Sequence, residues 1–154
     1  MTLTCWRIVP AEQATTAFDG EGARLNGGRW NSIGVAMAYA SEHKSLAALE
    51  VRVHIEATRK IKRYKSFAFH FDESLVEWLR TAELPQNWQQ EPPPSALQQL
   101  GDDWVASAES PILAVPSVVI PDELNYLLNP KHQDFGKIKI DKTSDFSFDP
   151  RLLK

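Results

Sequence analysis

The spacing of apolar residues changes along the chain and marks out its elements. Residues 3–9 read as a first strand closed by Pro10, and residues 61–71 place Tyr64, Phe67, Phe69 and Phe71 in near alternation, the period of a second strand. Between them, residues 19–34 are rich in turn formers and carry Gly27, Gly28 and Gly34, which predicts a long loop, and residues 35–40 follow as a short strand of small residues. From Ser41 the period lengthens to i, i+3, i+4, i+7 through Leu46, Leu49, Glu50 and Val53, so a helix is expected to about Thr58, with Ser41 as N-cap and Glu42 in its first turn.

Asp72 is placed to cap a short helix reaching Arg80, with Leu75, Val76 and Leu79 turned inward. The segment LPQNWQQEPPPS at 84–95 holds too many prolines for a regular element and reads as a surface excursion without a role. A helix is expected over 95–108 and an apolar strand over 112–120, interrupted at Pro116-Ser117. Residues 125–130, NYLLNP, read as a structured turn, 137–141 as a half-exposed strand, and Phe146 and Phe148 as a last edge strand. Strands and helices are interspersed without a βαβ rhythm, so the expected class is α+β, a mixed sheet with flanking helices in one domain over 1–154.

Composition narrows the function classes. At 154 residues, 43% hydrophobic and 24% charged, the chain suits a soluble domain with a real core. A net charge of −3 and the absence of a basic helix argue against direct nucleic-acid binding. The densest basic cluster, Arg59-Lys60-Ile61-Lys62-Arg63, is broken by Ile61 and reads as a solvated helix end or loop. The one cysteine, Cys5, excludes an internal disulfide and sits in a strand as a small apolar residue would. No leader-like or membrane-length apolar run is visible, so the expected location is the cytoplasm with no membrane partner. His43, His54, His70 and His132 lack metal-ligand spacing with Cys5 or with one another, and no metal is assigned.

Four residues invite chemistry. Glu50 puts a carboxylate in an apolar stripe, where burial unpaired costs several kcal/mol, so it needs a partner such as Arg52 or Arg7, or access to a pocket. Arg29 follows two glycines, which let backbone approach a ligand; it suits a phosphate, and equally a surface carboxylate. Tyr39 ends a strand of small residues and can stack on a flat ring or fill the core. Ser117 breaks a buried strand, presenting a hydroxyl to a cleft or marking a bulge. The glycines match neither the phosphate loop nor GxGxxG.

Taken together, Trp6-Arg7, GARLNGGRWNSIGVAMAYAS, KSLAALEV, SPILAVPSVVIPDELNYLLNP, KHQDFGKIKI and FSFDPRL resemble the RES domain family, in which an arginine, a glutamate and a serine recur. The resemblance implies an ADP-ribosyltransferase-like fold. It also implies a toxin that attacks NAD⁺, as substrate rather than cofactor, and is restrained by an Xre-type helix-turn-helix antitoxin, with room for a toxin homodimer in that complex. The family's arginine falls on Arg29, its tyrosine on Tyr39, its glutamate on Glu50 and its serine on Ser117; Arg7 matches a second arginine, and Gly28 and Asn129 lie in matching segments on the NAD⁺-binding side.

On this resemblance Glu50 would stabilise an oxocarbenium-like ribose, Tyr39 would stack on nicotinamide, Arg7 and Arg29 would hold the pyrophosphate, and Ser117 would orient Glu50 or a ribose. Water, inorganic phosphate or a protein side chain would each serve as acceptor, giving a glycohydrolase, a phosphorylase or an ADP-ribosyltransferase. A non-catalytic antitoxin-binding module is the rival from another class.

Overall fold

The computed structural model describes residues 1–55 and 63–154. Residues 56–62 lie outside the described residues, and with them the expected helix end at Thr58, the strand start at Ile61 and most of the basic cluster.

One mixed sheet organises the molecule, in the order β4-β5-β6-β2-β1-β3-β7, with β8 also paired to β3. Its strands are β1 (Thr2–Pro10), β2 (Ala38–Ser41), β3 (Tyr64–Asp72), β4 (Val76–Trp78), β5 (Ile112–Pro116), β6 (Leu124–Leu128), β7 (Lys139–Ile140) and β8 (Ser144–Phe146). Every pairing is antiparallel except β4 with β5. The helices are α1 (Glu21–Asn26), α2 (Lys44–Arg52) and α3 (Ser95–Ser107). The α+β expectation holds.

Alternation along the central strands separates two apolar layers. Ala38, Ala40, Ile112, Ala114, Tyr126 and Leu128 pack with Cys5, Phe69 and Phe71. Leu113, Val115 and Leu127 pack on the other side with Trp30, Trp88, Leu97 and Trp104. In α3, Leu97, Gly101 and Trp104 form the buried i, i+4, i+7 stripe. Cys5 is fully buried, and burial pushes its thiol far up, which disfavours the thiolate.

Several expected elements are corrected. The loop at 19–34 contains α1, whose first turn is supported by the Asp19 side chain accepting the Glu21 N–H at 2.9 Å and whose end is closed by Gly27 at φ 71°. Ser41 is not an N-cap: it ends β2, and His43 occupies the cap position without a side-chain bond. Glu42 instead accepts the Leu124 N–H at 2.7 Å. α2 ends at Arg52, and Val53 is exposed rather than in the buried stripe.

Asp72 does cap, but what it caps is a 3-10 turn at Glu73–Leu75; Val76–Trp78 then pairs in parallel with β5, so no helix reaches Arg80. NYLLNP is mostly strand β6, flanked by β5 and β2. The strand at 112–120 stops at Pro116 as its proline suggests, and Phe148 is buried beyond the end of β8.

Candidate active site

Residues from β1, the α1–β2 loop, β2, α2, α3 and β6 line a cleft of about 650 Å³. That volume is in the ordinary range for small-molecule sites. Arg7, Gly28, Arg29, Tyr39 and Glu50 all line it, so the structure gathers five of the seven predicted positions into one place.

Glu50 sits on α2, facing the sheet one turn after Leu46. Its Oε1 accepts two hydrogen bonds, from Ser117 Oγ at 2.7 Å and from Asn125 Nδ2 at 2.7 Å. Bonds to a charged acceptor are each worth about 1.5–3 kcal/mol, which offsets partial burial of the carboxylate without any cation. The expected ion pair with Arg7 or Arg52 does not form; Arg52 turns away to the Leu152 carbonyl. Among the described residues Oε2 has no protein partner.

Ser117 is fully buried and does not itself line the cleft. Its Oγ accepts the N–H groups of Val119 at 3.0 Å and Ile120 at 3.1 Å while donating to Glu50. Of the two roles expected for it, orienting Glu50 is the one this geometry serves; the hydroxyl has no capacity left for a ribose.

Tyr39 lines the cleft, and its hydroxyl is tied to the loop. The hydroxyl donates to Asn31 Oδ1 at 2.5 Å and accepts the Trp30 N–H at 3.2 Å. Burial pushes the phenol far above its ordinary range. Gly28 has its physical reason here: a Cβ would lie 2.6 Å from the Tyr39 hydroxyl oxygen and 2.8 Å from Asn31 Oδ1. The close approach that this glycine allows within the protein is to Tyr39 and Asn31.

Arg7 reaches into the fold from β1, donating from Nε to the Ala17 carbonyl and from Nη1 to the Tyr39 carbonyl, both at 2.6 Å. Burial pulls its guanidinium down to about 10, with nearby Asp19 opposing that shift. No carboxylate is ion-paired with it among the described residues, so it brings positive potential to the cleft, moderated by nearby Asp19.

Arg29 is spoken for on one side. Nη1 donates to the carbonyls of Trp88 at 3.1 Å and Gln90 at 2.8 Å, and Nη2 pairs with Glu91 Oε2 at 2.6 Å. The surface-carboxylate alternative weighed for Arg29 is therefore realised, and the proline-rich segment gains a role: through Arg29 it forms a rim of the cleft, to which Glu91 and Pro93 contribute.

Asn129 is the exception among the predicted positions. It lies at the opposite end of β6 from the cleft, its Oδ1 accepting the Lys131 N–H and its own N–H held by the Pro111 carbonyl. It shapes a turn and is not among the residues that line the cleft.

Two asparagines were missed. Asn31 is fully buried and ties the loop together, donating to the carbonyls of Ala23, Ser32 and Val35. Asn125 touches Glu50 directly. A strand reading of NYLLN would have found Asn125, since a period of two puts it on one face with Leu127 and opposite Tyr126 and Leu128. Away from the cleft, Glu42, His43 and Glu123 bring three ligand-type atoms within 4.8 Å of one another, but Glu42 is engaged by the Leu124 N–H.

The RES domain model matches residues 4–149. A curated relative from Sphingobium sp. (strain YBL2), Prs ADP-ribosylating toxin, is 37% identical over 159 residues, covering 100% of this chain and 99% of the relative. Toxin Res from Yersinia enterocolitica serotype O:8 / biotype 1B is 36% identical over 148 residues, covering 96% of this chain and 97% of the relative. Among solved structures, the M. tuberculosis MbcT–MbcA toxin–antitoxin complex contains a chain that aligns with a TM-score of 0.78 at 19% identity, covering 99% of this chain and 87% of that one. At that identity the likeness speaks for the fold, and it agrees with the sheet described above. With the family model spanning nearly its whole length and relatives above 30% identity covered almost end to end, this chain belongs to the RES domain family.

Proposed function

We propose that this chain is the toxin of a toxin–antitoxin pair and that it breaks the nicotinamide–ribose bond of NAD⁺. The observation that carries the reading is the Glu50 carboxylate, fixed through one oxygen on the wall of a cleft that also holds Arg7, Arg29 and the ring of Tyr39. In the bond-breaking step the electron pair of the C1′–N bond leaves with nicotinamide, which becomes neutral, and the ribose carbon becomes an oxocarbenium-like cation. Glu50 stabilises that cation. A unit charge about 4 Å away at an effective dielectric near 20 contributes about 4 kcal/mol, or roughly a thousandfold in rate. Arg7 supplies positive potential for the pyrophosphate, and the Tyr39 ring offers a face to nicotinamide.

Capture by water gives ADP-ribose and a proton; capture by inorganic phosphate gives ADP-ribose phosphate. Transfer to a protein side chain is the second reading, favoured by the name of the Sphingobium relative, an ADP-ribosylating toxin. An antitoxin partner is supported by the fold likeness to MbcT, a toxin solved with MbcA; that the partner is Xre-type, and whether the toxin pairs with itself, belongs to the same proposal.

Antitoxin-free protein incubated with NAD⁺, with and without phosphate, tests it by chromatography of released nicotinamide. Glu50→Gln preserves the shape and the acceptor oxygen but removes the charge, so it is expected to fold normally and lose about a thousandfold in kcat. Full activity in that variant refutes the role given to Glu50, and the co-product of the wild-type reaction names the acceptor.

A further inference from the structure

Glu50 is held by two donors whose own partners dictate which way each must point. Ser117 Oγ already accepts two backbone N–H groups, so its proton has to go to Glu50. Asn125 is the parallel case. Its side-chain amide has an NH₂ end and an oxygen end of nearly the same shape, and only the NH₂ end can face a carboxylate, which accepts and never donates. The oxygen end then needs a donor of its own, and Ser41 supplies it: Ser41 Oγ donates to Asn125 Oδ1 at 2.7 Å. Ser41 and Asn125 are directly opposite each other in the β2–β6 pairing, and Trp6 of β1 is opposite Ser41 on the other side. Ser41 is buried, at 2% exposure, which strengthens this bond.

Both enforced donors converge on the same atom, Oε1. The carboxylate is thereby fixed in rotation as well as in place, and Oε2 is left for a ligand in the cleft.

We propose that Asn125 is a positioning residue for Glu50 and that Ser41, acting through Asn125, sets the orientation of its amide. This deepens the NAD⁺-cleaving reading and rests on it for its kinetic consequence. Both residues line the cleft, and the role given to them is to hold and orient Glu50. Ser41→Ala leaves Asn125 Oδ1 without its donor and the amide free to turn its oxygen toward Glu50. Asn125→Leu keeps approximate volume and removes the donor altogether.

Nicotinamide release is measured for wild type, Ser41→Ala, Ser41→Thr and Asn125→Leu, with the folded fraction of each fixed by circular dichroism. Ser41→Ala is expected to lower kcat about 2- to 12-fold and Asn125→Leu about 10- to 150-fold, the ranges for losing a neutral and a charge-assisted bond, with KM for NAD⁺ within about twofold. Ser41→Thr keeps the hydroxyl and recovers most of the loss. Wild-type kcat in folded Ser41→Ala overturns the proposal, as does a matched change in kcat and KM that the hydroxyl of threonine does not rescue.

A readout independent of turnover separates this proposal from the NAD⁺ reading. In ¹H–¹⁵N spectra the Asn125 side-chain NH₂ pair is expected to move in both Glu50→Gln and Ser41→Ala. If wild type releases no nicotinamide but these resonances move, the substrate reading fails and the positioning stands. If they stay at their wild-type positions in both variants, the positioning fails whatever the enzyme cleaves.

Discussion

Gly101 lies in the middle of α3, and replacing it with alanine sets two effects against each other. Helix propensity alone favours alanine by about 1 kcal/mol. The structure opposes it. A Cβ at Gly101 would sit 2.7 Å from the carbonyl carbon of Trp30, and nearer still to its oxygen. Carbon atoms in contact prefer about 3.5 Å or more, so the helix and the Trp30 backbone must separate by at least about 0.8 Å. Trp30 is 2% exposed and packed with Leu97 and Trp104, so it cannot retreat into solvent. Overpacking of this kind costs about 1–3 kcal/mol, and relieving it by lifting α3 opens space among three large side chains at about 2–5 kcal/mol. The net expectation is destabilisation of about 2–3 kcal/mol, a Tm lower by roughly 5–10 °C for a chain of this length. The same displacement reaches the cleft, because Gln98 on α3 donates to the Gly28 carbonyl at 3.0 Å and Trp30 lines the cleft wall. Urea denaturation of wild type and Gly101→Ala decides the matter. A variant as stable as wild type, or more so, would show that propensity wins and that the α3–loop contact is loose.

Glu91→Gln removes the carboxylate on Arg29 while leaving the two carbonyl contacts; since Glu91 is exposed and the pair is worth about 1 kcal/mol, KM for NAD⁺ is expected to fall up to about fivefold with Tm little changed, whereas a higher KM would place Glu91 in the binding surface itself. Tyr39→Phe keeps the ring but strands the buried Asn31 oxygen, so denaturation should register a loss of about 1–3 kcal/mol while kcat well below Tm changes less than threefold; a large loss of kcat would mean the hydroxyl does chemistry. Asp72 is held down to about 2, first by its hydrogen bonds to Ser74 and then by the N-terminal amine, so its contribution is present above its ordinary value near 4 and is lost as pH falls toward 2. Asp72→Asn should therefore flatten the acid limb of stability between those values, and an unchanged limb would exclude the contribution.

The fold class was legible because β3 and the helix α3 carry their periods in the sequence, and burial in the fold largely follows them. The errors cluster where a short element is stabilised from outside itself. Val76–Trp78 has the apolar residues of a helix turn, and it is a strand only because β5 offers an edge beside it. NYLLNP carries turn residues at both ends, yet its middle is a central strand because β5 and β2 flank it. Ser41 has every local mark of an N-cap, and its hydroxyl is instead drawn 84 residues along the chain to Asn125. Local sequence cannot express a competition that is decided by a distant partner.

The site divides along the same line. Glu50 could be found from one sequence because its anomaly is local: a carboxylate in an apolar stripe must have been compensated by something. What compensates it could not be found the same way, since Ser117 lies 67 residues away and Asn125 75. Nor could the sign of the arginines. Arg7 and Arg29 were both expected to hold a pyrophosphate, but among the described residues Arg7 is held by carbonyls with Asp19 nearby and not ion-paired, and Arg29 is paired to Glu91. Carbonyls orient a guanidinium without neutralising it, whereas a carboxylate cancels most of its field. Of the two, Arg7 therefore leaves more of its field for an anionic ligand, while that of Arg29 is largely taken up by Glu91.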